Sequence, residues 1–203
     1  MRSLSEHDSR DLVDVLNLVT HERQARDRGW WQALEQCYTP DATIQSSWFD
    51  GKATQYIDLS KRMFDQTPSS HRLGQPVVDV NGDRAVAEVP MTIEFRGAFH
   101  GIEVDLASHM RMLHRVERGH RSWRFAASVA VFDRDTMSPA APGAALALSP
   151  GELEGARPSY RMLSLWMTEH GHTVPADRYG VDQPERLAAL YRDVYTWAGL
   201  SPQ

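Results

Sequence analysis

Two side chains 44 positions apart have the types that proton transfer needs. Asp27 stands at the end of a helical pattern, two residues before Gly29. His71 follows Ser69-Ser70 and leads towards an apolar run of β type, Val77 to Val80. A carboxylate that orients an imidazole fixes its tautomer, raises its basicity and leaves the other ring nitrogen as a general base near neutral pH. Such a base removes a proton next to a carbonyl or a leaving group. Elimination of water, double-bond migration and aldol cyclisation all begin with that step. Each residue also has a plainer reading. Asp27 could be a solvated acid held by Arg26 and Arg28, in a last turn where the helix dipole disfavours negative charge. His71 could cap or decorate a loop.

The elements around these residues are legible in the pattern. Ser9 or Asp8 can cap a helix over about 10–27, with Leu12, Val15, Leu16 and Val19 as its apolar stripe. Carried on, the stripe reaches Glu22, Arg23 and Arg26, so the buried face turns polar, as a helix does when its end lines a cavity. Gly29 ends it, because glycine takes the left-handed conformation without strain. A short helix over 30–38, an extended segment to about Phe49, a turn at Asp50-Gly51 and a third helix near 52–66 follow. Thr67-Pro68-Ser69-Ser70 breaks the chain. Asn81-Gly82 marks a hairpin. Strands over 84–96, 103–116 and 123–132, separated by turns at Gly97 to Gly101 and Gly119-His120-Arg121, complete an antiparallel meander. Helices followed by strands read as α+β.

Composition narrows the function classes. The chain has 203 residues and a net charge of −5, with no basic face for nucleic acid. It has no apolar run long enough for a membrane span and no secretory h-region. One cysteine, Cys37, fits a reducing, cytoplasmic setting. Residues 138–157 are Pro-, Ala- and Gly-rich and read as a linker between a domain over 1–137 and a helical extension over 158–203. The histidines at 109, 114 and 120, and His170-Gly-His172, lack metal-ligand spacing. No phosphate loop and no Gly-x-Ser-x-Gly is present. Cofactor-free chemistry without a metal remains.

The stretch RDRGWWQALEQCYTPDATI, residues 26–44, resembles the helix–helix–strand opening of the SnoaL-like (polyketide cyclase and dehydratase) branch of the nuclear-transport-factor-2-like superfamily. That superfamily includes ketosteroid isomerase, scytalone dehydratase and bile-acid 7α-dehydratase. The resemblance covers about residues 8–137. It implies a cone-shaped α+β barrel, with three N-terminal helices packed in a curved antiparallel sheet, here carrying a helical C-terminal extension. It also implies that Asp27 and His71 form an acid–base pair in the cone, since they match the helix acid and strand histidine of bile-acid 7α-dehydratase and of hexachlorocyclohexane dehydrochlorinase. On the same pattern Glu94 becomes a third member, and His109 stands in for the second histidine of scytalone dehydratase. The tyrosine of the bile-acid enzyme falls on Glu22 and is unmatched.

The residues themselves leave the faces of Glu94 and His109 open. Glu94 either points inward with Thr92 or bonds Arg96 or Arg84 outside, and His109 shares a face with Asp105, Ala107 and Arg111. Glu22, Trp30, Trp31, Trp48, Phe49 and Thr92 are the expected substrate contacts. The implied activity is a cofactor-independent lyase or isomerase, of dehydratase type, acting on a hydrophobic oxygenated small molecule such as a steroid, terpenoid or polyketide. The alternative is a non-catalytic binding module, or the counterpart of a dioxygenase small subunit. Met91, Ile93 and Phe95, read as an outward apolar row, point to a homodimer.

Overall fold

The computed structural model describes residues 6–65, 68–120 and 122–201, with the side chains of residues 6–8 excepted. Thr67 of the expected break, Arg121 of the expected turn and Asp8 as a capping side chain lie outside that description. Helix α1 (Glu6–Arg28) starts earlier than its stripe suggested, so Ser9 lies within it. It ends in a Schellman motif: Trp30 N–H donates to Ala25 C=O at 2.8 Å and Gly29 N–H to Arg26 C=O at 3.4 Å, with Gly29 at φ +67°. Asp27 is thereby fixed in the last turn. Helices α2 (Trp31–Gln36) and α3 (Ala53–Met63) flank strands β1 (Tyr38–Gln45) and β2 (Asp50–Lys52).

The long strands β5 (Arg84–Phe99), β6 (Ile102–Arg118) and β7 (Trp123–Pro139) are antiparallel neighbours, while β1 joins β7 in parallel. With β3 (Ser69–Leu73) they give one curved sheet the order β2-β1-β7-β6-β5-β3, to which, among the described residues, β4 (Val77–Asn81) adds beside β5 and β8 (Tyr179–Gly180) beside β7. The sheet wraps a core that includes Val15, Leu34, Ile57, Leu106 and Phe132. This is the α+β cone.

The sequence pattern misplaced one break. His71 lies in the middle of a strand of its own, β3 (Ser69–Leu73), which pairs with the second half of β5, whereas β4 (Val77–Asn81) pairs with the first half. Pro90 stands between the two paired stretches. It has no N–H to offer a neighbouring strand, so the ladder is interrupted there. Gly74 sits against it, its N–H donating to Pro90 C=O at 2.7 Å, and a Cβ on Gly74 would meet Pro90 Cβ at 2.9 Å.

The C-terminal segment packs on the same sheet. Ser149 caps helix α4 (Pro150–Leu153) with a capping box, so the expected linker holds structure. A turn of 3-10 helix at 158–160 leads into α5 (Arg161–Glu169), whose Leu163 N–H donates to Asp135 of β7 at 2.8 Å. Leu163, Trp166 and Met167 belong to the main core. A short strand β8 (Tyr179–Gly180) adds to β7, and α6 (Pro184–Trp197) covers Val86, Leu113 and Val131 on the outer face. Among the described residues no helix is long and apolar enough to cross a membrane.

Candidate functional site

Helix α1 delivers three polar groups to the cone: Glu22 and Arg23 from its buried stripe, and Asp27 from its last turn. Strand β3 delivers His71. In an antiparallel ladder directly opposed residues share a face. His71 opposes Ile93 and Ser69 opposes Phe95, and all four line one cavity. The cavity measures about 70 Å³. Its wall is mostly apolar, with Ile44, Trp48, Phe95 and Phe132 beside Met63, Met91, Met110, Met112 and Met167. Tyr38, Tyr56, Ser46, Ser47, Arg23 and Arg26 supply the polar part.

Asp27 grips His71 twice. Its Oδ1 lies 2.6 Å from His71 Nδ1, and its Oδ2 accepts the His71 backbone N–H at 2.9 Å. On the other ring nitrogen, Arg23 Nη1 lies 3.4 Å from Nε2. A guanidinium only donates, so Nε2 is the acceptor and Nδ1 carries the proton towards Asp27. Burial, then the Arg23 charge, pull the His71 pKa down to about 4, with Asp27 acting in the opposite sense. The ring is therefore neutral at pH 7. The carboxylate does not raise the basicity of this imidazole above the ordinary value, because burial and Arg23 outweigh it. Burial works against the charge on Asp27, but the hydrogen bonds from His71 hold its pKa below the usual carboxylate range.

Behind this pair lies a second buried cluster. Glu22 accepts from Tyr38 Oη at 2.8 Å and pairs with Arg23 at 3.1 Å. Burial disfavours the Arg23 charge, yet the Glu22 carboxylate keeps it firmly protonated. Tyr38 is pushed well above its ordinary pKa by burial and by Glu22. The phenol missing from α1 thus enters from β1 and ends on the carboxylate that replaced it. Trp48 stacks on Tyr56 with ring centroids 5.5 Å apart, and Phe49 packs behind both. Trp31 stays outside the wall, edge-on to Phe64, with the Arg26 guanidinium 5.9 Å from its ring centroid. Trp30 is half exposed and does not line the cavity, lying instead on a surface groove with Cys37.

Three expected residues are on the other face of the sheet. Glu94 opposes Ser70 and bonds Ser70 Oγ and Arg72 Nε, the latter at 3.1 Å. Thr92 opposes His109, and the two bond each other at 2.9 Å outside the cone. The row Met91, Ile93, Phe95 faces in. The alternation of β5 is thus opposite to the one that put Glu94 inside, and the row read as a dimer surface is cavity wall. Apolar side chains on a one-sided sheet turn to the core, and this strand follows that rule. The polar end of the α1 stripe points to Arg23 and Arg26 without giving them a role, and no sequence signal singles out Tyr38 or Ser46. His114, deep in the cone, bonds Ser128 Oγ at 2.8 Å and stacks on Phe125; burial pulls its pKa to about 3. Burial pushes the Cys37 thiol up to about 12, far from a nucleophile's range. Among the described residues no three His, Cys, Asp or Glu side chains converge as a metal centre would need.

The profile of the SnoaL-like domain matches residues 7–129. A PEP2-like protein of Fusarium vanettenii is 28% identical over 183 residues, covering 85% of this chain and 78% of its own length. A candidate scytalone dehydratase from Novosphingobium aromaticivorans superposes with a TM-score of 0.54 at 12% identity, over 70% of this chain and all of the other. A type 2 hexachlorocyclohexane dehydrochlorinase gives 0.54 at 14% identity, over 68% of this chain and 93% of its own. At such identities the likeness to the solved structures is one of fold.

Proposed function

The chain belongs to the SnoaL-like domain family, and on that premise we propose that it is a cofactor-independent lyase or isomerase in which His71, backed by Asp27, abstracts a proton from a hydrophobic oxygenated small molecule. The observation that carries this reading is the 2.6 Å contact between Asp27 Oδ1 and His71 Nδ1, with Nε2 unprotonated on a cavity wall. A neutral imidazole at pH 7 is ready to accept a proton. When it does, the new imidazolium lies against the Asp27 carboxylate, which favours the charged form. The Met- and aromatic-lined wall excludes water and suits a ligand with few polar groups.

A binding module would need none of this pairing, and an acid–imidazole contact open to solvent would have favoured it. The His71 side chain is instead buried, with the Asp27 carboxylate in hydrogen-bond contact. The test is turnover of a panel of steroid, terpenoid and polyketide-like hydroxy-carbonyl compounds by the wild type and by H71A. The reading expects at least a hundredfold loss in kcat/KM for H71A. A loss under about threefold would sink it.

A further inference from the structure

We infer that Arg26, with Ser46, binds the developing oxyanion, and that the substrate is a neutral compound bearing an enolisable carbonyl. The inference rests on the proton-abstraction reading above and adds the acceptor of the electron pair.

Arg23 is already committed: one terminal nitrogen pairs with Glu22 and the other faces His71. Arg26, one turn further along α1, lines the same cavity, and among the described residues its buried Nε has no partner. Its guanidinium rests near the Trp31 ring, which limits its motion. Ser46, just past the end of β1, also lines the cavity and has a buried, unpartnered Oγ. A buried donor left unmatched is costly, so two of them on one cavity describe a ligand that supplies an acceptor oxygen.

The charges around the cavity fix the ligand's own charge. With His71 neutral, Arg23 and Arg26 balance Glu22 and Asp27. A neutral carbonyl compound keeps that balance, whereas a carboxylate would add an unmatched charge to a mostly apolar site. In the reaction the C–H bond breaks and its proton goes to His71 Nε2. The C–H electron pair becomes the C=C bond, and the carbonyl π pair moves to oxygen. The two charges so created arise together, imidazolium beside Asp27 and enolate beside Arg26. Donors already in place for a charge that develops only in the transition state are what accelerates such a step.

The test uses 4-nitrophenol, whose phenolate mimics an enolate oxygen and whose colour reads its ionisation without turnover. Phenolate bound with a proton on His71 keeps the same charge balance as enolate beside imidazolium, so the wild-type chain should bind the phenolate at least tenfold more tightly than the phenol. R26Q should lose that preference by at least tenfold with neutral-phenol affinity within about threefold, and R26K should recover part of it, each with an unchanged circular dichroism spectrum. If R26Q loses the native spectrum, R26K alone decides, by a preference intermediate between wild type and none. The assignment is overturned if the wild type shows no preference, or if the folded Arg26 variants keep it within about twofold. H71Q separates the two proposals. A phenolate preference that survives H71Q, with H71A still turning over substrate, would remove His71 as base and leave Arg26 standing.

Discussion

Arg23 and His71 meet at 3.4 Å, guanidinium to Nε2, on the one ring nitrogen that Asp27 leaves free. The contact holds the imidazole neutral and occupies its lone pair, so Arg23 must turn aside from Nε2 as a substrate proton arrives. Since the reactive form is the unprotonated one, kcat/KM should rise as pH rises through about 4, the value set by burial and Arg23, and stay level to neutrality. Removing the charge with R23M, paired with E22Q so that no buried carboxylate is stranded, should move that acid limb up towards the ordinary histidine value near 6.5. A pH–rate profile that does not shift would remove Arg23 from this role.

Stability should follow the same histidines. His71 and His114 are depressed to about 4 and about 3 in the folded chain, below the ordinary 6.5, so between those values the unfolded chain binds more protons. Stability is then complete above pH 6.5 and falls as pH drops, by up to about 1.4 kcal/mol per unit for each histidine. Urea melts at pH 4.5, 5.5 and 6.5 measure it, and H114Q should reduce the slope.

Replacing Asp27 should cost structure as well as activity. D27A leaves both the backbone N–H and the ring N–H of His71 without their acceptor, a loss of roughly 1–3 kcal/mol for each buried donor stranded. D27N keeps an acceptor for the backbone but loses the charge behind the imidazolium. We expect D27N to fold within about 1–2 kcal/mol of wild type and to lose activity at least tenfold, read by thermal melts and by kcat.

The outer-face residues should be quiet. E94Q and H109A alter groups outside the cone and should leave activity within about threefold and stability within roughly 0.5 kcal/mol. A hundredfold loss in either would mean that the inward face of β5 has been misassigned.

Helix α5 should prove integral to the cavity. A Cβ on Gly97 would meet Trp166 Cη2 at 2.9 Å, so G97A must displace the indole that packs on Phe95, at a cost of about 1–3 kcal/mol. W166A should cost about 3–5 kcal/mol in denaturant melts and disturb Met167 next to it in the wall.

Much of this arrangement is legible in the chain. The α1 stripe, its Gly29 terminus and the Asn81-Gly82 turn are local signals, and each lies where the pattern places it. The pairing of Asp27 with His71 came from resemblance, because nothing local links positions 44 residues apart. The resemblance puts Glu94 inside the cone, whereas the simpler rule that Met91, Ile93 and Phe95 belong inside puts it outside, where it lies. The separate strand at His71 was hidden because its cause, Pro90, lies on the partner strand. Ser46 carries no local signal at all, being a loop serine until β1 and the cavity give it neighbours.

Five of the chain's eight methionines line the cavity. Unbranched thioether chains change shape by bond rotation and need no backbone movement. The resting volume is therefore a floor, and the site can swell around ligands of different outline while His71 and Asp27 stay fixed on rigid elements. The same composition gives the wall five thioethers that peroxide could oxidise wherever it reaches them. Each sulfoxide formed would turn greasy lining into a polar, chiral surface, and a reductase could restore it.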